Sequence, residues 1–228
     1  MQHTEYRHEI KHSINAPDAV TIARRLRTVC RPDEHAVKNG GYTVRSLYFD
    51  TPDDKALIEK QMGLNRREKF RIRIYNGSSD YIRLEKKCKV NGLCAKYSEE
   101  MTFDECKRIL AGDTLFLKRS GRALLIELYA KMQSEHLRPR TLVDYRRQAF
   151  LYAPGNVRVT IDSDVRTGVQ STKLFSLSAP TAPVVKDNLC VLEVKYDSYL
   201  PAVISDLLQT NCRRSNAFSK YAACRIYG

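Results

Sequence analysis

The chain has 228 residues and 43% hydrophobic content, which suits one domain with its own core, taken as residues 1–228. Its 39 basic and 26 acidic residues leave a formal net charge of +13, which speaks to partners rather than fold: nucleic acid, an anionic membrane or a phosphate-rich small molecule. The seven cysteines form no C-x-x-C pair and no Cys/His set has zinc spacing; with no signal peptide or long apolar run, a soluble cytoplasmic protein with free thiols and no membrane segment is expected.

A first strand is predicted over residues 6–14, where Ile10 and Ile14 share one face with His8 and His12, and Arg7, Glu9 and Lys11 share the other. Asn15-Ala16-Pro17-Asp18 signals a helix start, with the helix over 18–30. Gly40-Gly41 ends a loop before a strand over 42–50, and Asp50-Thr51-Pro52-Asp53-Asp54 is a turn and cap signal for a helix reaching about Met62. A meander follows, with strands over 66–75, 81–89 and 93–103 joined at Asn76-Gly77 and Asn91-Gly92. Helices are expected over 104–110 and 120–136, the second with Leu124, Leu125, Leu128 and Met132 at helical spacing. A hairpin over 141–152 and 156–162 turns at Ala153-Pro154-Gly155. Residues 165–188 read as a long loop. A strand over 189–196, a helix over 201–208 and a last helix over 215–227 complete the chain. This is about eight strands, mostly antiparallel, with no βαβ alternation and hence no doubly wound sheet.

One parity of these strands is charged: Arg7, Glu9 and Lys11; Arg71 and Arg73; Arg83, Glu85 and Lys87; Lys96 and Glu100; Arg147; Arg158 and Asp162; Glu193 and Lys195. With the apolar parity packed outward against helices, this set would line the inside of a curled sheet. Roughly ten cations in one dry, unpaired cluster would cost several kcal/mol each, so the interior must be wet or hold a matching anion. A chain of phosphates is such an anion, because arginine forks and lysine point charges both bind its oxygens. The carboxylates among them suit a hard divalent cation. Outward-parity Lys86 and Arg146 are expected to face solvent, and Lys107-Arg108 with Arg213-Arg214 to form a basic outer patch. The five histidines show no catalytic pairing, and the 13 tyrosines form no base-stacking motif, which disfavours nucleic acid.

Beyond this reading, the chain resembles the VTC domain, the catalytic domain of the vacuolar transporter chaperone polyphosphate polymerases, among the triphosphate tunnel metalloenzymes that include CYTH proteins. The resemblance rests on Tyr6-Arg7-His8-Glu9-Ile10-Lys11, Ser46-Leu47-Tyr48-Phe49-Asp50, Phe70-Arg71-Ile72-Arg73, Leu84-Glu85-Lys86-Lys87, Tyr145-Arg146-Arg147, Val157-Arg158-Val159-Thr160-Ile161-Asp162, Leu192-Glu193-Val194-Lys195 and Phe218-Ser219-Lys220-Tyr221. It implies an α+β fold: an eight-stranded antiparallel β-barrel, the triphosphate tunnel, with helices outside. It implies transfer of the ATP γ-phosphoryl group to inorganic polyphosphate, with Mn²⁺ or Mg²⁺. The reacting phosphates fall to Lys11, Arg71, Arg73, Lys87, Arg147, Arg158 and Lys220, with further phosphate contacts from Lys96, Ser219, Tyr48 and Lys195. Metal ligation falls to Glu193, with Glu9 and Glu85 available. Arg7 stands where CYTH relatives carry the first glutamate of an ExExK motif, which leans towards the polymerase. The alternatives are a tripolyphosphate or nucleoside triphosphate hydrolase and a non-catalytic polyphosphate-binding module. Partners are ATP and inorganic polyphosphate or pyrophosphate; coupling to transport would need a separate membrane protein.

Overall fold

The computed structural model describes residues 7–33, 41–184, 189–210, 214–215 and 218–226. Tyr6, His3, His35, Cys212 and Arg213 therefore lie outside the described residues. In chain order the elements are β1 (His8–Ile14), α1 (Ala16–Leu26), β2 (Arg31–Pro32), β3 (Tyr42–Asp50), α2 (Lys55–Gln61), β4 (Arg66–Tyr75), β5 (Ser78–Val90), β6 (Leu93–Met101), α3 (Phe103–Leu110), α4 (Leu115–Lys118), α5 (Ala123–Ser134), β7 (Arg138–Tyr152), β8 (Val157–Thr167), β9 (Ala182–Pro183), β10 (Cys190–Tyr196), α6 (Ala202–Leu207), β11 (Arg214–Ser215) and α7 (Lys220–Arg225).

The strands form one antiparallel sheet in the order β11-β1-β10-β8-β7-β3-β4-β5-β6, with β2 and β9 paired to β7 and β8. Its local registers follow from the turns. At Asn76-Gly77 and Asn91-Gly92 both residues adopt positive φ, the geometry of the tight hairpin turn whose twist matches that of the flanking strands. The sheet curls until its two sides meet: Arg7 and Cys94, at the starts of β1 and β6, exchange backbone hydrogen bonds of 3.2 and 3.4 Å. That single bridge stands in place of a continuous ladder, so the expected barrel closure is not made by strand pairing among the described residues.

The two faces carry different loads. On the outer face, Leu47, Phe49, Phe70, Ile72, Ile74, Ile82 and Leu84 pack with Cys106 and Ile109 of α3, Leu117 of α4 and Leu124, Leu125 and Leu128 of α5. Farther round, Ile161, Leu192 and Val194 pack with Ile22, Ala23 and Leu26 of α1 and Ile204 of α6. These are the apolar alternates of the sequence pattern, buried where the helices cover them. The inner face is charged over part of its area and apolar over the rest, where Tyr42, Val44, Val143, Tyr145 and Ala149 pack with Tyr221 and Cys224 of α7. Parity alone assigned this face to charge; α7 supplies apolar side chains that make the rest of it dry.

Several bounds differ from expectation. The last helix is α7, six residues long, and residues 214–215 pair with β1 instead of starting it. The first helix is α1, which starts two residues earlier than expected, because Asn15 caps it by accepting a hydrogen bond from Asp18 N at 2.7 Å, and which ends at Leu26. Strand β8 runs to Thr167, and Ala182–Pro183 pairs with it, so the expected loop is bracketed by sheet. Lys86 does point outward but is only 12% exposed: its ammonium sits 2.5 Å from Glu127 of α5, because that helix covers this face. Arg146 is exposed as expected. Lys107 and Arg108 are exposed too, each over a phenylalanine ring, Phe103 and Phe116.

Candidate functional site

The alternation of β1, β4, β5, β6, β7, β8 and β10 sends eight cations and four carboxylates to the inner face, and Lys220 arrives as a ninth cation from the first turn of α7. All but Lys69 gather in three groups. In the first, Glu9 and Glu193 lie side by side. Lys11 reaches both, at 2.9 and 3.6 Å; Lys195 does the same at 3.7 and 3.0 Å. Lys87 crosses from β5 to within 2.5 Å of Glu9, tying the two sides of the curled sheet together.

The second group surrounds Glu85, which is held by Arg71 at 2.6 Å, Arg73 at 3.5 Å and Lys96 at 3.3 Å. Arg71 also donates to the Tyr48 hydroxyl at 2.7 Å. In the third, Asp162 accepts from the two arms of the Arg147 fork at 2.7 Å each, and Lys220 lies 2.6 Å away. Tyr145 joins the last two groups: its hydroxyl accepts from Arg73 at 2.9 Å, and its ring lies under Arg147 and Lys220.

Position explains the ionisation of these groups. Burial and the adjacent Glu193 push the Glu9 carboxyl up, but Lys87, Lys11 and Lys195 outweigh them and bring it down to about 2. Burial likewise opposes, and Lys195, Lys11, Lys87 and Lys220 overcome, in holding Glu193 well below the ordinary carboxylate range. Asp162 is lowered to about 2, burial being outweighed by Arg147 and Lys220. Glu85 is held well down by Arg73, Arg71 and Lys96 against burial. All four carboxylates are therefore charged at neutral pH, and the cations still outnumber them.

Not every expected site residue joins these groups. Arg158 binds Asp33 at 2.6 Å and the Tyr42 hydroxyl at 3.2 Å instead of an inner-face carboxylate. Ser219 is the N-cap of α7, accepting from Ala222 N at 3.3 Å. Asp50 is fully buried and caps α2 through Ala56 N and Leu57 N while accepting from the Tyr221 hydroxyl, which anchors α7. Glu85 lies among cations apart from the Glu9–Glu193 pair, and among the described residues no group of three or more His, Cys, Asp or Glu side chains could hold a metal by itself. Lys69 was missed by sequence reasoning. It shares the parity of Arg71 and Arg73, and extending that alternation two residues back would have found it.

An antiparallel sheet curled around a cluster of buried, cation-rich charge defines a protein built to hold a polyanion. Residues 6–226 match the VTC domain family, and the chain belongs to that family, whose fold is a polyphosphate- or triphosphate-binding one. Solved structures similar to it include a Bacillus halodurans protein provisionally called an adenylate cyclase, at 14% identity over 86% of this chain and 82% of that one with a TM-score of 0.49. Another is the PH1012 protein of Pyrococcus horikoshii OT3, at 14% identity over 89% and 85% with a TM-score of 0.42. No curated protein matches the chain. No helix among the described residues is long and apolar enough to cross a membrane.

Proposed function

We propose that the chain is a polyphosphate polymerase that transfers the γ-phosphoryl group of ATP to a growing inorganic polyphosphate chain, its curled sheet acting as an eight-stranded tunnel. The observation that carries this reading is the cation excess on the inner face of a VTC-family chain. Phosphoryl transfer asks mainly for positioning and charge neutralisation. Arg71, Arg73, Lys87, Arg147 and Lys220 would hold donor and acceptor phosphates in line against their mutual repulsion, with Lys11, Lys96 and Lys195 adding point charge. The acceptor is already an anionic oxygen, so no general base is required.

Glu9 and Glu193 fit a hard divalent cation: two ionised carboxylates side by side, bridged by lysine ammonium groups that such a cation would replace. Mn²⁺ or Mg²⁺ held there would supply charge neutralisation to phosphate oxygens, which would complete its ligand set. Glu85 fits less well, since Arg71, Arg73 and Lys96 already occupy it.

The test is to incubate purified protein with ATP and Mn²⁺ or Mg²⁺ and resolve polymer from orthophosphate. Polymer is expected, and folded Lys220→Ala and Glu193→Ala variants should lose it. Full activity in a folded Glu193→Ala protein would remove the metal assignment. The adjacency of Glu9 and Glu193 also favours a second reading, hydrolysis of triphosphates; orthophosphate released without polymer would select it.

A further inference from the structure

Lys11, Lys87, Lys96, Lys195 and Lys220 of the inner face each have a carboxylate within 3.7 Å. Lys69 differs. It projects from β4 on the same parity as Arg71 and Arg73, is half-buried, and has no ion pair or hydrogen bond from its ammonium among the described residues. Its neighbour is the Tyr48 ring, 5.4 Å from ammonium to centroid. The charged groups facing it are the Tyr48 phenol from β3, Lys87 from β5, Lys11 from β1 and Arg71 on its own strand. Lys69 also lines a small cavity with Asp50, with Lys55 and Glu59 of α2, and with Glu68, Lys131 of α5 and Glu135, yet none of these carboxylates pairs with it.

An ammonium crowded by cations, with no carboxylate of its own, holds its charge at a cost that an anion from outside, or loss of its proton, would remove. We propose that Lys69 is a phosphate-binding residue of the inner face, and that its ammonium charge is completed when the anion arrives. This rests on the polyphosphate reading above and adds a residue which that reading does not use. Tyr48 takes part as a neighbour whose charge opposes the ligand. Burial, Lys87, Lys11 and Arg71 bring Lys69 down to about 8, with Tyr48 opposing. Arg71, Lys69 and Arg73 outweigh burial and bring Tyr48 down to about 7. Near neutral pH the pair can shelter a phenolate beside the lysine. An incoming phosphate repels the phenolate and attracts the ammonium, so both groups gain affinity for protons, and binding draws them from the buffer.

The test is calorimetry of tripolyphosphate binding without metal, near pH 8, in two buffers of different ionisation enthalpy, for wild type, Lys69→Met and Lys69→Arg. The ligand's own protonation change is common to all three. Lys69→Met should bind at least about tenfold more weakly, the scale of one lost charge-assisted hydrogen bond. It should take up fewer protons and, having lost a charge crowded by other cations, melt no lower than wild type. Lys69→Arg should keep most of the affinity but take up fewer protons than wild type, because a guanidinium does not titrate and only the Tyr48 share remains. Lys69→Met with wild-type affinity and proton uptake would overturn the proposal while leaving the polyphosphate reading intact. A wild type that binds no tripolyphosphate would overturn both.

Discussion

Asp162 shows how single residues hold this site. Its carboxylate is fully buried and carries both Arg147 and Lys220. Truncation would leave two cations crowded with no counter-charge, so Asp162→Ala should destabilise the fold by about 3–5 kcal/mol, read from urea unfolding. The same residue sets an acid limit. Its folded-state value, about 2, lies below the ordinary 3.8, so it adds stability above that ordinary value. Glu9, lowered from 4.5 to about 2, acts in the same direction. Stability should therefore fall as the pH drops from the mid-fours towards 2, followed by circular dichroism, and Asp162→Asn should flatten that dependence.

Among the elements, α7 matters most for so short a helix. Ser219 caps it, Tyr221 fixes it to Asp50 and stacks on Tyr48 at 5.0 Å, and Arg225 pairs with Asp54 at 2.7 Å. Those contacts aim Lys220 at Asp162. Tyr221→Phe removes one hydrogen bond, at a cost of about 1–2 kcal/mol, and should lower polymer synthesis through Lys220 more than it lowers the melting temperature of the whole. Away from the site, Thr102 and Glu105 form a reciprocal capping box on α3. Thr102→Ala should cost about 1 kcal/mol in thermal unfolding and leave phosphate binding unchanged.

For the whole molecule, the net charge of +13 and the concentration of cations on one face make electrostatic attraction the main source of polyanion affinity. Exposed charges are screened within about 8 Å at physiological salt, whereas the buried groups are screened far less. Affinity for polyphosphate should thus fall with added salt and level off at a residual set by Lys69, Arg71, Arg73, Lys87 and Arg147, measured by titration over a salt series. A fall to nothing would place binding on the outer surface, where Lys107 and Arg108 lie.

Much of this was legible in the sequence because β-strand side chains repeat every two residues. Phe70-Arg71-Ile72-Arg73 and Leu192-Glu193-Val194-Lys195 declare a dry face and a charged face wherever they fold, and the two Asn-Gly pairs declare the turns that set their register. The local order of strands and the charged inner set follow from such short-range rules. Which charges meet is a different matter. Lys87 and Glu9 are 78 positions apart and come together only when the sheet curls, and Lys220 reaches Asp162 only because Tyr221 docks on Asp50. Lys69, on the parity of its neighbours, differs from them solely in lacking a carboxylate, and no local pattern records that. The sequence by itself determined the two faces and the excess of positive charge; the tertiary structure decided the pairings, because they are made between strands and helices far apart in the chain.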